Sequence, residues 1–354
     1  MTTYRSPLHS EHVRLGAKLT PFGGWEMPLQ YAGVLAEHRC VRSEAGLFDV
    51  SHLGKVTVDG PGAADFLDRM LPGKVASLGE WRAAYNIVLN EQAGIVDDIF
   101  VYRRPEGFIV VPNASNTVAV LDMLASAAGP GVHVVDSRME WAIIALSGPR
   151  ARSIILADMP EVADLKLHRL TEGVFRGTPS LVARTGYTGE VTFEFLVAWD
   201  RAKDLWLSLL DAGATPTGLG ARDTLRLEMG YPLHGHEISE STNPIEAGLE
   251  WVIDWTKPFF ARDVLEKIRD KGVSRRLAGV IGVGREIPRA GQAILESGRQ
   301  VGELTSGNFS PVLGRGIGMG YVPPELAAPG TMLVVDVRGK MLDVEVTKPP
   351  FIPQ

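Results

Sequence analysis

Two aspartates stand side by side in an otherwise apolar run, GIVDDIFVY, at residues 94–102. Burying a carboxylate without a partner is costly, so Asp97 and Asp98 need either nearby donors or a ligand. The run reads as a strand, and strand side chains alternate between faces. Val96, Asp98, Phe100 and Tyr102 therefore share one face, while Ile95, Asp97, Ile99 and Val101 share the other. A pocket on either face would receive one carboxylate, not a dyad. Two readings stay open: an acid pair at a turn-to-strand junction satisfied by amides, or one carboxylate aimed at a ligand.

A second stretch, RTGYTGEVTFEF (Arg184–Phe195), places glycines around Tyr187 and Thr188, as in a tight turn with an exposed aromatic. In the strand that follows, Phe193 and Phe195 share one face and Thr192 and Glu194 the other. Glu194 is either the wet side of an amphipathic strand or a carboxylate that accepts two parallel hydrogen bonds from a ligand edge. A third stretch, TGLGARDTLRLEMGYPLHGHE (Thr217–Glu237), runs from a glycine turn into a helix expected from Ala221. Arg222 then sits in the first turn, where a cation opposes the helix dipole. A surface ion pair or an anionic ligand would account for it. His234, His236 and Glu237 suggest a metal site only weakly, because no HExxH spacing or further histidine cluster supports one. Cys40 lies two residues from His38, on a different side of a helix, and is expected to be a buried structural thiol. GVGREIPRAG lacks the third glycine of a dinucleotide loop, and neither a phosphate loop ending in Gly-Lys nor a nucleophile elbow is present.

The elements that must position these residues follow an α+β grammar. Helices are expected over Leu35–Gly46, Pro61–Met70, Thr117–Ala128, Pro149–Leu156, Asp200–Ala212, Ala221–Met229 and Ala261–Lys271. Strands are expected over Lys55–Val58, over the meander Ala84–Asn90, Gly94–Tyr102 and Gly107–Pro112, and over Trp141–Leu146, Leu181–Ala183 and Val191–Val197. Beyond residue 275 come six short glycine-rich strands: Leu277–Val283, Ala293–Leu295, Gln300–Ser306, Gly316–Val322, Met332–Val337 and Met341–Thr347. Their spacing suggests a separate small β-barrel, so the expected division is 1–275 and 276–354.

The 354 residues carry 36 Lys and Arg against 42 Asp and Glu, a net charge of −6. That balance argues against a general nucleic-acid binder, which needs basic surface to displace counterions. A single cysteine rules out an internal disulfide framework and a cysteine-based zinc site. No apolar run approaches the ~20 residues that span a bilayer. The segment from Met1 to His12 is polar and has no apolar core of a secretion signal, so a cytoplasmic location is expected.

Eight stretches, taken in order, resemble the T-protein family of the glycine cleavage system, the tetrahydrofolate-dependent aminomethyltransferases. They are PFGGWEMPLQY (Pro21–Tyr31), GLFDVSHLG (Gly46–Gly54), LNEQAGIVDD (Leu89–Asp98), RTGYTGEVTFE (Arg184–Glu194), GLGARDTLRLEMG (Gly218–Gly230), NPIEAGLEWVI (Asn243–Ile253), TSGNFSPVLG (Thr305–Gly314) and KPPFIP (Lys348–Pro353). The resemblance implies a three-lobed cloverleaf: two interleaved antiparallel α+β lobes that bind folate, and a C-terminal β-barrel. It implies tetrahydrofolate as co-substrate, no metal, and the lipoylated H-protein as partner, with ammonia, 5,10-methylene-tetrahydrofolate and dihydrolipoyl H-protein as products. It implies no nucleic acid and no membrane among the partners. By position, Asp98 is then the catalytic acid near the folate nitrogens, Glu194 grips the pterin, and Arg222 serves the folate site. Tyr102, Tyr187, Asn113 and Tyr85 are implied as pocket residues. Leu53 stands beside the ligand, where many relatives have methionine, and Arg289 is placed at the channel entrance. Two further departures bear on geometry: Pro112 precedes Asn113, where its register matters, and Ala93 stands where glycine is common. Alternatives on the same scaffold are another folate-dependent demethylase or one-carbon transferase, and a non-enzymatic folate protein of iron–sulfur assembly. The latter branch carries a K-G-C-Y-x-G-Q-E motif that this chain lacks.

Overall fold

A computed structural model describes residues 3–353. Met1, Thr2 and Gln354, the outer ends of the two expected regions and of the polar N-terminal segment, lie outside the described residues. The chain divides into two compact units, one formed by Met1–Val88 and Asp97–Arg222, the other by Leu89–Val96 and Asp223–Gln354.

The first unit opens with β1 (Tyr4–Arg5), α1 (His9–Arg14), β2 (Lys18–Phe22) and β3 (Trp25–Gln30). These strands form a three-stranded sheet in the order β1-β3-β2. Sequence periodicity misses it, because Pro21, Gly23, Gly24 and Pro28 break the alternation that marks a strand. Next come α2 (Val34–Ser43), β4 (Gly46–Asp49), β5 (Val56–Asp59) and α3 (Ala63–Met70). They are followed by β6 (Arg82–Leu89), β7 (Ile95–Arg104), β8 (Gly107–Val111), α4 (Thr117–Ala127) and β9 (His133–Asp136). A five-stranded sheet in the order β6-β7-β8-β5-β9 contains the expected meander as three neighbours.

The unit continues with β10 (Trp141–Ser147), α5 (Ala151–Leu156), α6 (Pro160–Ala163), β11 (Leu170–Phe175), β12 (Thr178–Ala183) and β13 (Thr192–Ala198). It closes with α7 (Ala202–Asp211), β14 (Thr215–Pro216) and the start of α8 (Leu219–Met229). The six-stranded sheet runs β11-β12-β13-β10-β4-β14. One of its faces packs on α7 and α5 through Phe193, Phe195, Ile144, Trp206, Leu205 and Ile155, all within 1% of full burial. The opposite face carries Glu194, set between Ala145 and Ala183 on the flanking strands. The helix expected over Asp200–Ala212 opens as a 3-10 turn, Trp199–Arg201, before α7 begins. The helix expected from Ala221 starts two residues earlier, at Leu219.

In the second unit, α9 (Arg262–Lys271) precedes β15 (Arg276–Gly282), β16 (Ala293–Glu296), β17 (Arg299–Ser310), β18 (Arg315–Val322), β19 (Met332–Val337) and β20 (Lys340–Thr347). The six strands close into a barrel in the order β15-β18-β17-β16-β19-β20. Closure leaves no unpaired sheet edge. Its interior is aliphatic, filled by Val280, Ile294, Leu304, Val335, Val344 and Val346 among others. Glycines let neighbouring backbones approach: a Cβ on Gly302 would lie 2.0 Å from the Tyr321 carbonyl oxygen.

Candidate active site

β7 carries the two aspartates to opposite faces, as alternation requires. Asp97 is fully buried. It accepts hydrogen bonds from the Asn113 backbone N–H at 2.8 Å, the Asn113 side-chain amide at 2.8 Å and the Asn116 amide at 2.7 Å. Burial pushes its carboxyl up to about 6, against the pull of those amide donors. Satisfaction by amides therefore describes Asp97 fully. It also shows that Pro112 leaves the register intact, since Asn113 follows the end of β8 in place to reach both acids.

Asp98 is half-buried and faces the other way. It accepts from the Tyr85 hydroxyl at 3.2 Å and from the Asn113 amide at 2.9 Å. Burial, followed by the Asp98 charge, holds the Tyr85 phenol far above its ordinary range, so Tyr85 meets Asp98 as a donor. The rings of Tyr85 and Phe100 stand 5.8 Å apart edge to face, and those of Phe100 and Tyr102 stand 6.1 Å apart. β6 and β7 thus present a carboxylate at one end of an aromatic strip.

Glu194 stands at the other end. It is 7% exposed, on the polar side of β13. Its Oε2 accepts the Tyr102 hydroxyl at 3.0 Å, and a short bond from the Thr185 hydroxyl as well. Burial, reinforced by the Glu194 charge, keeps Tyr102 protonated as a donor. Both donors use the same oxygen, so among the described residues Oε1 has no hydrogen-bond partner. Oε1 thus keeps both of its lone pairs open. Thr185, which bonds both Glu194 and Tyr102, carries no periodic signal, because turn residues follow no period. Its signal was its place one residue outside the glycine-flanked tyrosine motif. Asn116 carries no periodic signal either, and the polar run Asn-Ala-Ser-Asn after β8 was its signal.

Arg222 lies in the first turn of α8, with its guanidinium 4.5 Å from the centre of the Tyr187 ring. Burial lowers its basicity, while Tyr187, Glu194 and Asp98 act in the opposite direction. The cation thus feels both carboxylates of the site and stacks on Tyr187. The turn before α8 is fixed by the Gly218 N–H, which donates to Glu37 on α2 at 2.8 Å. Leu53 is half-buried in the turn after β4, next to His52, which feels the Arg222 charge. Burial is the largest cause holding His52 neutral, with its imidazole pushed down to about 3.

Other candidates have partners of their own. Glu237 accepts Arg226 at 2.8 Å, and the His236 ring meets the Thr305 carbonyl at 3.0 Å. Arg289 is exposed and donates to Asn308 at 2.7 Å. Cys40 is half-buried, not buried as expected, with Sγ 3.9 Å from the Ala45 carbonyl. Ala93 adopts φ +62°, the left-handed turn geometry for which glycine is suited.

The geometry joins a donor-held aspartate, an aromatic strip, a gripped glutamate and a stacked arginine in one unit. Comparison with known proteins places the chain. The GCVT N-terminal domain family matches residues 8–257, and the glycine cleavage T-protein C-terminal barrel domain matches residues 275–352. The aminomethyltransferase of Parafrankia sp. (strain EAN1pec) is 44% identical, covering 98% of this chain and 97% of its own. That of Streptomyces avermitilis is 46% identical, covering 97% and 96%. The chain belongs to the glycine cleavage T-protein family.

This is a family of enzymes, the aminomethyltransferases. A solved T-protein relative, the glycine cleavage system aminomethyltransferase T from Bartonella henselae, superposes with a TM-score of 0.93 at 35% identity, covering 99% of this chain and 98% of that one. The α+β organisation with a closed C-terminal barrel is the T-protein architecture. Among the described residues of this T-protein family member, no helix is long and apolar enough to cross a membrane. No group of three or more His, Cys, Asp or Glu side chains among them is gathered as metal ligands would be.

Proposed function

We propose that the protein transfers the one-carbon unit of an aminomethyl-dihydrolipoyl H-protein to tetrahydrofolate, releasing ammonia, 5,10-methylene-tetrahydrofolate and dihydrolipoyl H-protein. The observation that carries this reading is the pairing of Asp98 and Glu194 at the two ends of one aromatic strip, with Arg222 stacked on Tyr187 and feeling the charge of both. A reduced pterin presents an amide N–H and a 2-amino group along one edge. Glu194 Oε1, with two lone pairs open, suits those donors. A pterin gripped there would lie along Phe100 and Tyr102, with its reactive nitrogens toward Asp98.

The atoms balance without an oxidant. The N5 nitrogen attacks the methylene carbon that bridges sulfur and nitrogen, and N10 closes the ring. The carbon–sulfur and carbon–nitrogen bonds break, and the protons from N5 and N10 leave on the thiol and on ammonia. Positive charge develops on an iminium-like carbon during this exchange. A fixed carboxylate near that carbon stabilises the charge with no reorganisation, a term worth a few kcal/mol in preorganised sites. Asp98 is oriented for this by Tyr85 and Asn113 before any substrate arrives. Holding two substrates in one place supplies much of the remainder.

Residues 1–275 are proposed as a folate-binding region and 276–354 as a barrel domain, with Asp98 catalytic. Glu194, Arg222, Tyr187, Tyr102, Asn113, Tyr85 and Leu53 are proposed as the folate-binding set, in a cytoplasmic enzyme. The test is ammonia and methylene-folate formation from aminomethylated H-protein and tetrahydrofolate with the protein added. Product that depends on all three components supports the reading. Methylene-folate formed from a methylamine or sulfonium donor, with none from H-protein, would transfer the protein to another one-carbon reaction.

A further inference from the structure

The turn after β4 carries a buried imidazole that the chemistry described above does not use. His52 is 2% exposed, and its Nδ1 has no hydrogen-bond partner among the described residues. A buried polar atom left unmet bears the full desolvation penalty of its group. Such atoms are few in native proteins, and each one has a reason to be there.

The chain holds this ring in place from both sides. Ser51, just before it, donates its N–H to Asp49 at 2.9 Å, and its carbonyl receives the Lys55 ammonium at 2.8 Å. The Ser51 hydroxyl receives the Ile143 N–H of β10 at 3.2 Å. Asp49 is fixed in turn by His12, whose Nε2 lies 2.8 Å from Oδ2 in full burial. Just after His52, the Leu53 N–H donates to the Val50 carbonyl at 3.1 Å, and the Gly54 N–H to the Pro112 carbonyl at 2.8 Å. Phe22 covers the imidazole edge to face, with ring centres 5.4 Å apart. A ring packed this closely does not swing to a partner elsewhere in the chain.

The same contacts set His52 at the Asp98 end of the site. Pro112, which receives Gly54, precedes Asn113, and Asn113 donates to Asp98 at 2.9 Å. The turn beyond Phe22 packs on that loop as well: a Cβ on Gly23 would lie 2.7 Å from the Ala114 Cβ. Burial, then the Arg222 charge, keeps the imidazole neutral against the pull of Asp49. A protonated ring here would repel the positive charge that develops on the transferred carbon. A neutral ring offers a lone pair without adding a charge.

We propose that His52 is a further substrate-binding residue: its Nδ1 accepts an N–H of the amino group carried on the H-protein arm and holds that amine beside Asp98 until it leaves as ammonia. The proposal rests on the one-carbon reading above. In that reading folate lies along the β7 strip and Glu194, whereas His52 comes from the turn after β4, so separate elements serve the two substrates. A merely structural imidazole would lose its unmet nitrogen without any change in kinetics. A binding imidazole loses turnover of one substrate when that nitrogen is removed.

The test uses the full chain as wild type, His52→Leu and His52→Asn, with aminomethylated H-protein and tetrahydrofolate as probes. In His52→Leu, kcat/KM for H-protein should fall about tenfold or more, while the Kd for tetrahydrofolate stays within about twofold. Its denaturant midpoint should equal or exceed that of wild type, because an apolar group in place of an unmet polar one is neutral or stabilising. His52→Asn sets an amide atom close to the place of Nδ1, so it should recover to within about threefold of wild type. Wild-type protein that forms no methylene-folate from H-protein would overturn the one-carbon reading itself. With wild type active, unchanged kinetics in His52→Leu would overturn this inference alone. So would a loss that falls on tetrahydrofolate affinity, or an asparagine variant no better than the leucine one. Should His52→Leu fail to fold, His52→Gln replaces it, since its amide reaches the place of Nε2 and not of Nδ1. Loss in the glutamine variant with recovery in the asparagine variant supports the inference, and equal activity in the two overturns it.

Discussion

At the level of single residues, the site is a set of acids whose environments divide their work. Asp97 is spent on the Asn113 and Asn116 amides, whereas Asp98 is half-buried and faces the aromatic strip, with Tyr85 and Asn113 among its donors. That division predicts different outcomes for similar substitutions. Asp98→Asn keeps the shape and the Tyr85 contact but removes the charge that an iminium-like carbon would meet. Turnover is expected to fall at least about tenfold, ~1.4 kcal/mol of barrier, with tetrahydrofolate still bound. Single-turnover kinetics with prebound folate checks this, and near-normal turnover would take Asp98 out of the chemistry. Glu194→Ala acts on the other end of the strip. It removes the open oxygen while leaving Tyr102 and Thr185, 3.1 Å apart, to bond each other. Folate affinity should then weaken by about tenfold or more, while the folded protein stays close to wild type in stability. A titration that finds unchanged affinity would reject the grip.

At the level of elements, the site depends on how few degrees of freedom its carriers keep. The start of α8 is an example. A Cβ added at Gly218 would lie 2.3 Å from the Leu29 carbonyl oxygen and 2.6 Å from the Gln30 nitrogen, both backbone atoms that cannot swing away. Gly218→Ala must therefore push β3 and α8 apart and strain the bond to Glu37. A loss of about 2 kcal/mol or more in denaturant unfolding is expected, in the range of overpacked cores. Folate affinity should drop with it, because Arg222 follows within one turn. A midpoint equal to wild type would mean the chain absorbs the methyl elsewhere. The same elements show what the sequence could disclose. Strand parity alone put Asp98 with Tyr102 and Glu194 opposite Phe193, and glycine-punctuated alternation marked all six barrel strands. β2 and β3 escaped because prolines and paired glycines erase a period of two. α8 starts two residues before the expected Ala221, because Leu219 and Gly220 read as turn in sequence. Glu37 reads as an ordinary charge on a short helix, since what it holds lies 181 residues away along the chain. Thr185 and Asn116 were missed for a related reason: turn side chains answer to tertiary geometry, not to any periodicity.

For the molecule as a whole, stability is tied to pH through charged groups that burial holds away from their ordinary behaviour. The clearest is Lys55, just before β5, which is fully buried. Its ammonium donates to the Ser51 carbonyl at 2.8 Å and lies 5.9 Å from the centre of the Trp199 ring. Burial pulls it from the ordinary 10.5 down to about 7, with Asp49 and Asp136 opposing the shift and Arg138 adding to it. Between those two values the unfolded chain binds more protons than the folded one, so this lysine makes stability rise with pH across that window. Below about 7 both states are protonated and its full cost stands. Acidic groups act in separate windows. Asp97, raised to about 6, makes stability fall as pH rises from 3.8 to 6, whereas Asp49, held at about 2 by its bonds despite burial, loses its contribution only as pH drops below 3.8. The lysine can therefore be isolated on the alkaline side. Lys55→Met keeps the volume and discards the buried charge, a replacement that is often stabilising. At pH 7 the variant should be more stable by about 2 kcal/mol, and the advantage should shrink toward zero as pH approaches the unfolded lysine's value. Denaturant midpoints taken at steps from pH 6 to 10 decide it. A constant offset would mean that the gain comes from packing, and a less stable variant would mean that the Ser51 bond and the indole contact outweigh the cost of burying the charge.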